Sequence, residues 1–357
     1  MRPDAPAKYP FTVILSSKKH ALATAHAIAY TQGRRQQAGR NDAGIHNASE
    51  PPAMKGIVPI QERIRKLKVD RDAVILVHNY QPGDVQDMGD FVGDSLGLSR
   101  QAGQTDAEVI LFCGVHFMAE TAKIISPQKR VIVPDLNAGC PMANMVTVRE
   151  LREMKEKHPD AVVVTYVNSS AAVKAESDVC CTSANAVKVV ASVPEDREVL
   201  FVPDRNLGDY VARQLGRRLI LWNGYCPTHQ RVLPDHVRAA KRKHPDALVV
   251  VHPECVAETI GLADHVGSTT GILRFCARSD AREFIIGTEV GILHRLRKEN
   301  PGKTFHEASP LADCPNMKLT TLEKMLWSLE DLVYEVTVPE DIIARARRAI
   351  DRMLEIS

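Results

Sequence analysis

The amino-acid sequence contains one unit three times, and this repetition constrains the fold more than any other feature. In each copy a Val/Ile/Leu-rich run ends at a marker residue, a hydroxyl residue follows 17 positions later, and a cysteine follows 60 to 62 positions after the marker. The marker, hydroxyl and cysteine of the three copies are His78, Ser95 and Cys140; Tyr166, Ser183 and Cys226; and His252, Thr269 and Cys314. Because this period exceeds the roughly 20 to 50 residues of stacked repeats, it predicts three similar small domains.

Each unit alternates continuous apolar runs with helical segments. Runs of this kind are typical of buried parallel strands that helices cover. We therefore predict an α/β fold of three pseudo-symmetric small domains, with parallel sheets around a central site and a helical C-terminus. The predicted strands cover 73–77, 108–112 and 130–134; then 161–165, 198–202 and 218–222; then 247–251, 283–286 and 304–305.

The predicted organisation has five segments. Residues 1–53 are expected to be a disordered extension, or to precede a true start at Met54; a transit peptide is the third interpretation, since 5–41 contains no acidic residue. The remaining segments are repeat 1 at 54–150 with Cys140, repeat 2 at 151–236 with Cys226, repeat 3 at 237–321 with Cys314, and C-terminal helices at 322–357 that pack on the body. The last helix is expected to begin with Pro339 at its first turn, and the helix before it to reach Val333.

Composition narrows the class of protein. The 357 residues are 44% hydrophobic and 25% charged, as in soluble globular proteins, and no apolar run approaches the roughly 18 residues that span a bilayer. Residues 1–53 hold seven of the 46 Lys and Arg residues and three of the 44 acidic residues, so the remainder carries 39 basic against 41 acidic residues. This near-neutral body predicts neither a nucleic-acid partner nor a membrane partner.

The eight cysteines indicate a reducing, cytoplasmic environment. No secretory signal precedes them, and none forms a C-x-x-C pair. Three cysteines recur in register, one in each unit, and three thiolates with one open position suit zinc or an iron-sulfur cluster. The other five do not recur and are expected to pack in the core; these are Cys113, Cys180, Cys181, Cys255 and Cys276.

Polar residues at the ends of the first strands indicate a ligand site. In parallel α/β units, ligands bind at the carboxyl ends of strands, and a hydroxyl at a helix start can bind an anion with the free backbone N–H groups. If the three units face one axis, three such anion sites converge on one cavity. Simpler interpretations are that the hydroxyls are helix caps, the histidines core imidazoles and the cysteines buried apolar groups.

Eight motifs in order resemble the quinolinate synthase family over about residues 60–354. They are HNYQ at 78–81, GDSL at 93–96, GVHFMAET at 114–121, YVNSSAAVKA at 166–175, NGYCPTH at 223–229, HPE at 252–254, VGSTTG at 266–271 and DCPNMK at 313–318. The resemblance implies condensation of iminosuccinate with dihydroxyacetone phosphate to quinolinate, phosphate and water. It also implies one 4Fe-4S cluster, with an open iron site, on Cys140, Cys226 and Cys314.

The resemblance also assigns residues to the site. It implies catalytic roles for Tyr80, His229 and Glu254, and coupling to an aspartate oxidase or dehydrogenase that supplies iminosuccinate. The residues expected to bind substrate are His78, Ser95, Tyr166, Val167, Asn168, Ser183, His252, Pro253, Glu254 and Thr269.

Two alternatives remain at this level. Another three-lobed iron-sulfur enzyme, of the isoprenoid diphosphate reductase or diphthamide synthesis kind, would share one cysteine per lobe. A metal-binding or redox-sensing scaffold without catalysis would keep the cysteines but would have no need of the hydroxyl triplet or of Glu254.

Overall fold

A computed structural model describes residues 58–356, so the expectations for 1–53 lie outside the described residues. The first unit contains the first four strands. Its elements are α1 (Ile60–Asp70), β1 (Ala73–His78), α2 (Gly83–Gln86), β2 (Phe91–Gly93), α3 (Ser95–Gln104), β3 (Val109–Cys113), α4 (His116–Ile125) and β4 (Arg130–Ile132), followed by a 3-10 helix (Met142–Met145).

The second and third units repeat this succession of elements. The second consists of α5 (Val148–Lys157), β5 (Val162–Tyr166), α6 (Ala171–Lys174), β6 (Val179–Cys181), α7 (Ala186–Ala191), β7 (Val199–Val202), α8 (Arg205–Leu215), β8 (Ile220–Leu221) and α9 (Pro227–Gln230). The third consists of α10 (Pro234–Lys243), β9 (Leu248–Val251), α11 (Ala257–Ile260), β10 (His265–Val266), α12 (Thr269–Arg278), β11 (Glu283–Gly287), α13 (Ile292–Glu299) and β12 (Thr304–Glu307), followed by a 3-10 helix (Pro315–Lys318).

Each unit forms one parallel four-stranded sheet, and all three sheets have the same strand order. The order is β2-β1-β3-β4 in the first sheet, β6-β5-β7-β8 in the second and β10-β9-β11-β12 in the third. The central strands are almost entirely buried, as their continuous apolar sequences predict. The predicted α/β class with three similar parallel sheets is therefore confirmed.

The structure contains one strand per sheet that the sequence patterns did not predict. These edge strands, β2, β6 and β10, are only two or three residues long. An aspartate directly before each of them accepts a hydrogen bond from a backbone N–H of the neighbouring first strand. The three bonds run from Ile75 to Asp90 at 2.9 Å, from Val163 to Asp178 at 2.8 Å and from Val249 to Asp264 at 2.7 Å. Each aspartate lies 12 positions after the marker residue of its unit, so a periodic signal for these strands was present.

Two further helices end the chain, α14 (Leu322–Asp331) and α15 (Glu340–Glu355). Between them, residues 334 and 336 pair with 131 and 133, beside the edge strand β4. The expected bounds need two corrections. Helix α14 ends before Val333, because Leu332 adopts a left-handed conformation with φ of 52°, and Pro339 is the N-cap of α15 rather than its first helical residue.

Both C-terminal helices contribute to hydrophobic cores. Met325 of α14 packs in a cluster with Ile64 of α1 and Ile75 of β1, while Ile350 of α15 belongs to the largest cluster, which contains residues of all three units. Between residues 58 and 356, no helix is both long and apolar enough to cross a membrane.

Replacement of Met325 by alanine tests the packing of α14 on the first sheet. Because Met325 is fully buried, Met325→Ala is expected to lower the free energy of unfolding by about 2 to 5 kcal/mol. Trp327 lies on the same helix and is 55% exposed, so Trp327→Ala should cost less than about 1 kcal/mol. Chemical denaturation monitored by circular dichroism compares the two variants, and equal losses would contradict this packing.

Candidate active site

A cavity of about 180 Å³ lies where residues of all three units meet. It is lined by the carboxyl ends of the first strand of each unit and by the segments that follow these strands. The segments around Cys140, Cys226 and Cys314, here called the cysteine loops, complete the lining. In an open parallel sheet of this order, the first strand borders the point where the strand order reverses, and ligands bind there. The sequence-predicted residues in the lining are His78, Tyr80, Ser95, Cys140, Tyr166, Asn168, Ser183, Cys226, His229, His252, Glu254, Thr269 and Cys314.

Two sequence-predicted residues do not belong to this lining. Val167 and Pro253 are buried, and the backbone N–H of Val167 donates to the carbonyl of Cys181 at 2.9 Å. Both lie just after the end of a first strand, in a bend and a turn, and their neighbours Tyr166, Asn168, His252 and Glu254 line the cavity. Cavity-lining polar residues that sequence reasoning missed are Asp94, Thr182, Thr228, Arg231, Glu289 and Asn316.

The hydroxyl triplet is not used for helix capping. Asp94 and Ser268 cap α3 and α12 by accepting from the backbone N–H groups of Gly97 and Gly271. Ser95 and Thr269 are therefore the first helical residues, and both line the cavity. The simpler interpretation, in which these hydroxyls are the caps, is wrong.

Ser183 lies in a turn three residues before α7 begins, so it does not open a helix as expected. The turn is closed by Asn185, whose side-chain oxygen accepts from the backbone N–H of Thr182 at 2.7 Å. The hydroxyl of Ser183 is 3.2 Å from Nε2 of His252. Ser183 is thereby placed against a residue of the third unit.

His78 and His252 occupy equivalent positions and have the same tautomer. Nδ1 of His78 accepts from the backbone N–H of Tyr80 at 3.2 Å, and Nδ1 of His252 accepts from that of Glu254 at 3.3 Å. Burial lowers the pKa of His78 to about 4 and that of His252 to about 3, so both rings are neutral. A neutral ring whose Nδ1 accepts carries its proton on Nε2, and both residues can therefore donate a hydrogen bond from Nε2.

Glu254 connects the second and third units. Its Oε1 accepts from the Tyr166 hydroxyl at 2.5 Å, and its Oε2 is 2.7 Å from Nδ1 of His229. Burial opposes the charge of this carboxylate, but the contacts with His229, His252 and Tyr166 outweigh burial and hold the pKa of Glu254 well below its usual value. The site therefore contains a buried carboxylate that is ionised at neutral pH.

Thr288 joins His229 to Tyr80. Its hydroxyl is 2.9 Å from Nε2 of His229 and 2.6 Å from the Tyr80 hydroxyl. The side chains form one hydrogen-bonded chain that runs from Tyr166 through Glu254, His229 and Thr288 to Tyr80. Sequence reasoning missed Thr288, although it directly follows β11 and so stands at the carboxyl end of a central strand.

Burial raises the pKa of both Tyr80 and Tyr166 well above 10, and the negative charge of Glu254 adds to the effect. Both hydroxyls therefore keep their protons and can donate. Asn168 offers a different kind of group, since its buried Oδ1 has no hydrogen-bond partner among residues 58–356. A buried amide oxygen without a partner at a cavity wall is a ready ligand contact.

The three periodic cysteines differ from the other five in exposure. Cys140, Cys226 and Cys314 are partly exposed and line the cavity, whereas the remaining cysteines are buried. Carboxylates fix the backbone of two of them: Asp204 accepts from the N–H of Cys226 and Glu289 from that of Cys314, each at 3.1 Å.

A hydrogen bond joins two of the cysteine loops, and burial raises the pKa of all three thiols. The side chain of Asn316 donates to the carbonyl of Gly139 at 2.8 Å, which joins the loop of Cys314 to that of Cys140. Burial raises the pKa of Cys140 to about 12 and raises those of Cys226 and Cys314. Three thiols that can ionise only beside a strong cation form a donor set that fits a metal or an iron-sulfur cluster.

A second donor set overlaps with the first. Ligand atoms of Cys226, His229 and Glu254 lie within 4.8 Å of one another. Nδ1 of His229 already contacts Oε2 of Glu254, however, so a metal there would have to replace that contact. Sγ of Cys226 is itself 3.2 Å from Nδ1 of His229, so the two donor sets share this contact. The periodic thiols are the better candidates because each unit contributes one of them to the cavity wall.

Comparisons with known proteins identify similar sequences. Residues 62–355 match the family model described as quinolinate synthetase A protein. A quinolinate synthase of Geotalea uraniireducens is 59% identical over 297 residues, and one of Geobacter metallireducens is 58% identical, each match covering 83% of this chain and 97% of the relative. Quinolinate synthase 1 of Methanosarcina acetivorans is 55% identical over 295 residues, with the same coverage.

Substitution of Thr288 tests the hydrogen-bonded chain. Thr288→Val removes the hydroxyl between Tyr80 and His229 but keeps the shape of the side chain, so catalytic turnover is expected to fall at least about 10-fold. Thr288→Ser retains a hydroxyl and should remain within about 3-fold of the unsubstituted protein. Steady-state kinetics with both variants checks this. Equal activity of the valine and serine variants would show that the hydroxyl has no part in turnover.

Proposed function

The chain belongs to the quinolinate synthase family, and we propose that it condenses iminosuccinate with dihydroxyacetone phosphate to form quinolinate, phosphate and water. Membership makes it an enzyme of NAD biosynthesis. The observation that carries the proposal is the convergence of the three units on one cavity, with an ionised carboxylate, neutral imidazoles and three thiols in its wall. The two alternatives from the sequence have no support from the matched family.

The cavity suits two anionic substrates. Ser95 and Thr269 lie at the N-termini of two ten-residue helices, where a hydroxyl and free N–H groups favour carboxylate and phosphate oxygens. Nε2–H of His78 and the amide of Asn168 add neutral hydrogen-bonding groups. Arg231 supplies the one Lys or Arg side chain in the described lining, and it suits the phosphate.

The reaction needs proton removal from carbon and proton delivery to leaving oxygens. His229 is the best proton carrier, because Glu254 accepts its Nδ1–H and so directs Nε2 towards Thr288 and Tyr80. This is the role of the carboxylate in a catalytic triad. Tyr80, with its raised pKa, holds a proton that it can donate along the same chain.

We also propose that Cys140, Cys226 and Cys314 bind one 4Fe-4S cluster, and the exposure of these three thiols to the cavity supports this. When bound, such a cluster supplies an open iron that acts as a Lewis acid on a substrate oxygen. Asp204, Glu289 and Asn316 would hold the thiol loops in place around it.

A cytoplasmic location and a coupled enzyme complete the proposal. All eight cysteines are free thiols, as a reducing compartment requires. Iminosuccinate would be supplied by an enzyme that oxidises aspartate, such as an aspartate oxidase or dehydrogenase.

Anaerobic purification with iron and sulfide analysis, followed by a quinolinate assay, tests the proposed function. We expect about four iron and four sulfide per chain, and quinolinate only when iminosuccinate and dihydroxyacetone phosphate are both present. A protein that contains the cluster but forms no quinolinate from these substrates would refute the proposed reaction.

Single substitutions test the ligand set and the role of Glu254. Cys226→Ala is expected to abolish the cluster, whereas Cys276→Ala should leave it, because Cys276 is buried away from the cavity lining. Glu254→Gln should keep the cluster but lower turnover at least about 100-fold, since His229 loses its charged partner. Iron analysis and visible absorption of the purified variants distinguish the outcomes. Equal iron loss in both cysteine variants would overturn the assignment, and iron loss in Glu254→Gln would favour the overlapping donor set.

A further inference from the structure

Two imidazoles and a carboxylate form a cluster at the edge of the third sheet opposite to the cavity. His244 follows α10, Glu283 is the first residue of β11, and His306 lies on β12. Oε1 of Glu283 is 2.9 Å from Nδ1 of His244 and 2.8 Å from Nε2 of His306. Since the cavity borders the carboxyl end of β11, the length of that strand separates the two sites.

We propose that His244, Glu283 and His306 bind a divalent transition metal ion, and that this ion is zinc. Their three ligand atoms lie within 4.8 Å of one another. Two imidazole nitrogens and one carboxylate oxygen form a known zinc donor set, with bonds of about 2.0 to 2.2 Å and water at the open position. The ion sits between the three donors and replaces their mutual hydrogen bonds.

The ring arrangement brings both ligand nitrogens to the same carboxylate oxygen, Oε1 of Glu283. The rings of His244 and His306 are stacked, with centroids 3.5 Å apart and planes at 17°. Because stacked rings direct their lone pairs side by side, zinc binding would rotate the two partly exposed rings so that both nitrogens point at one ion. The side chains are 25 to 34% exposed, so an ion can enter from solvent.

The second unit provides an internal comparison. It contains the equivalent of the His244–Glu283 pair, since Nδ1 of His158 lies 3.3 Å from Oε2 of Glu198. On the adjoining edge strand, Ile220 stands at the register position that His306 occupies in the third unit. The second unit thus contains the His–Glu pair without the second imidazole, so the third donor is particular to the third unit.

Bound zinc would link three elements that are distant in sequence. It would connect the end of α10 to the beginning of β11 and to the edge strand β12. Its expected effect is to stabilise the third unit against unfolding. This site does not depend on the proposed reaction, since it lies apart from the substrate cavity.

Zinc binding to the purified protein with its cluster in place tests the proposal, with iron content measured to show that the cluster is retained. Calorimetric titration with Zn²⁺ is expected to show one site per chain in the unsubstituted protein. His306→Ile, which copies the second unit, and Glu283→Gln should each weaken binding at least 10-fold. His158→Ala is the matched control and should bind Zn²⁺ like the unsubstituted protein.

Thermal unfolding gives a second measurement. Zn²⁺ is expected to raise the Tm of the unsubstituted protein and of His158→Ala, but not that of His306→Ile. Ile is a good strand former at this edge position, so the variant should fold. Equal Zn²⁺ affinity of the unsubstituted protein and His306→Ile, or no Zn²⁺ binding by the unsubstituted protein, would overturn the proposal.

Discussion

The site depends on one buried carboxylate, that of Glu254. A buried charge is stable only when other contacts compensate for the loss of water, and Tyr166 and His229 provide hydrogen-bonding contacts from the second unit. The negative charge of Glu254 also raises the pKa of neighbouring acidic groups. After burial, it is the next largest cause of the raised pKa of Tyr80, Tyr166, Cys226 and Asp204. One carboxylate thus joins two units and raises the pKa of the acidic groups around it.

The three units share a backbone but carry different side chains at equivalent positions. The first-strand marker is histidine in the first and third units, where a neutral ring can donate from Nε2, and tyrosine in the second, where a hydroxyl donates to Glu254. His229 is chemically distinct from the two marker histidines, because its Nδ1 faces a carboxylate and theirs face backbone N–H groups. The three units therefore give the cavity three walls with a similar backbone, and differences at single positions give each wall different hydrogen-bonding groups.

Much of the fold and of the site could be predicted, because periodicity reports local backbone structure. The central strands follow from it, and so do the first-strand markers, the hydroxyl residues and the periodic cysteines that line the cavity. Tyr80 and His229 were predicted from the family resemblance instead. The edge strands were missed because two or three residues give no hydrophobic pattern, although the aspartates Asp90, Asp178 and Asp264 repeat at the same interval. Thr288 was missed for a different reason: its role arises from contacts with residues 59 and 208 positions away, and no local pattern encodes such contacts.

The exposure of the thiols shows how the fold separates reactive from structural cysteines. Cys180 and Cys181 form a vicinal pair that stands out in the sequence, yet both lie on the buried edge strand β6. Burial raises the pKa of each, so neither offers a thiolate. The thiol pKa is also raised at Cys140, Cys226 and Cys314, but these three reach the cavity, where a cation can compensate for their charge. Access to a shared cavity, rather than thiol pKa or closeness in sequence, therefore distinguishes the three cysteines proposed as ligands. In the sequence, only the triple repeat indicates which three these are.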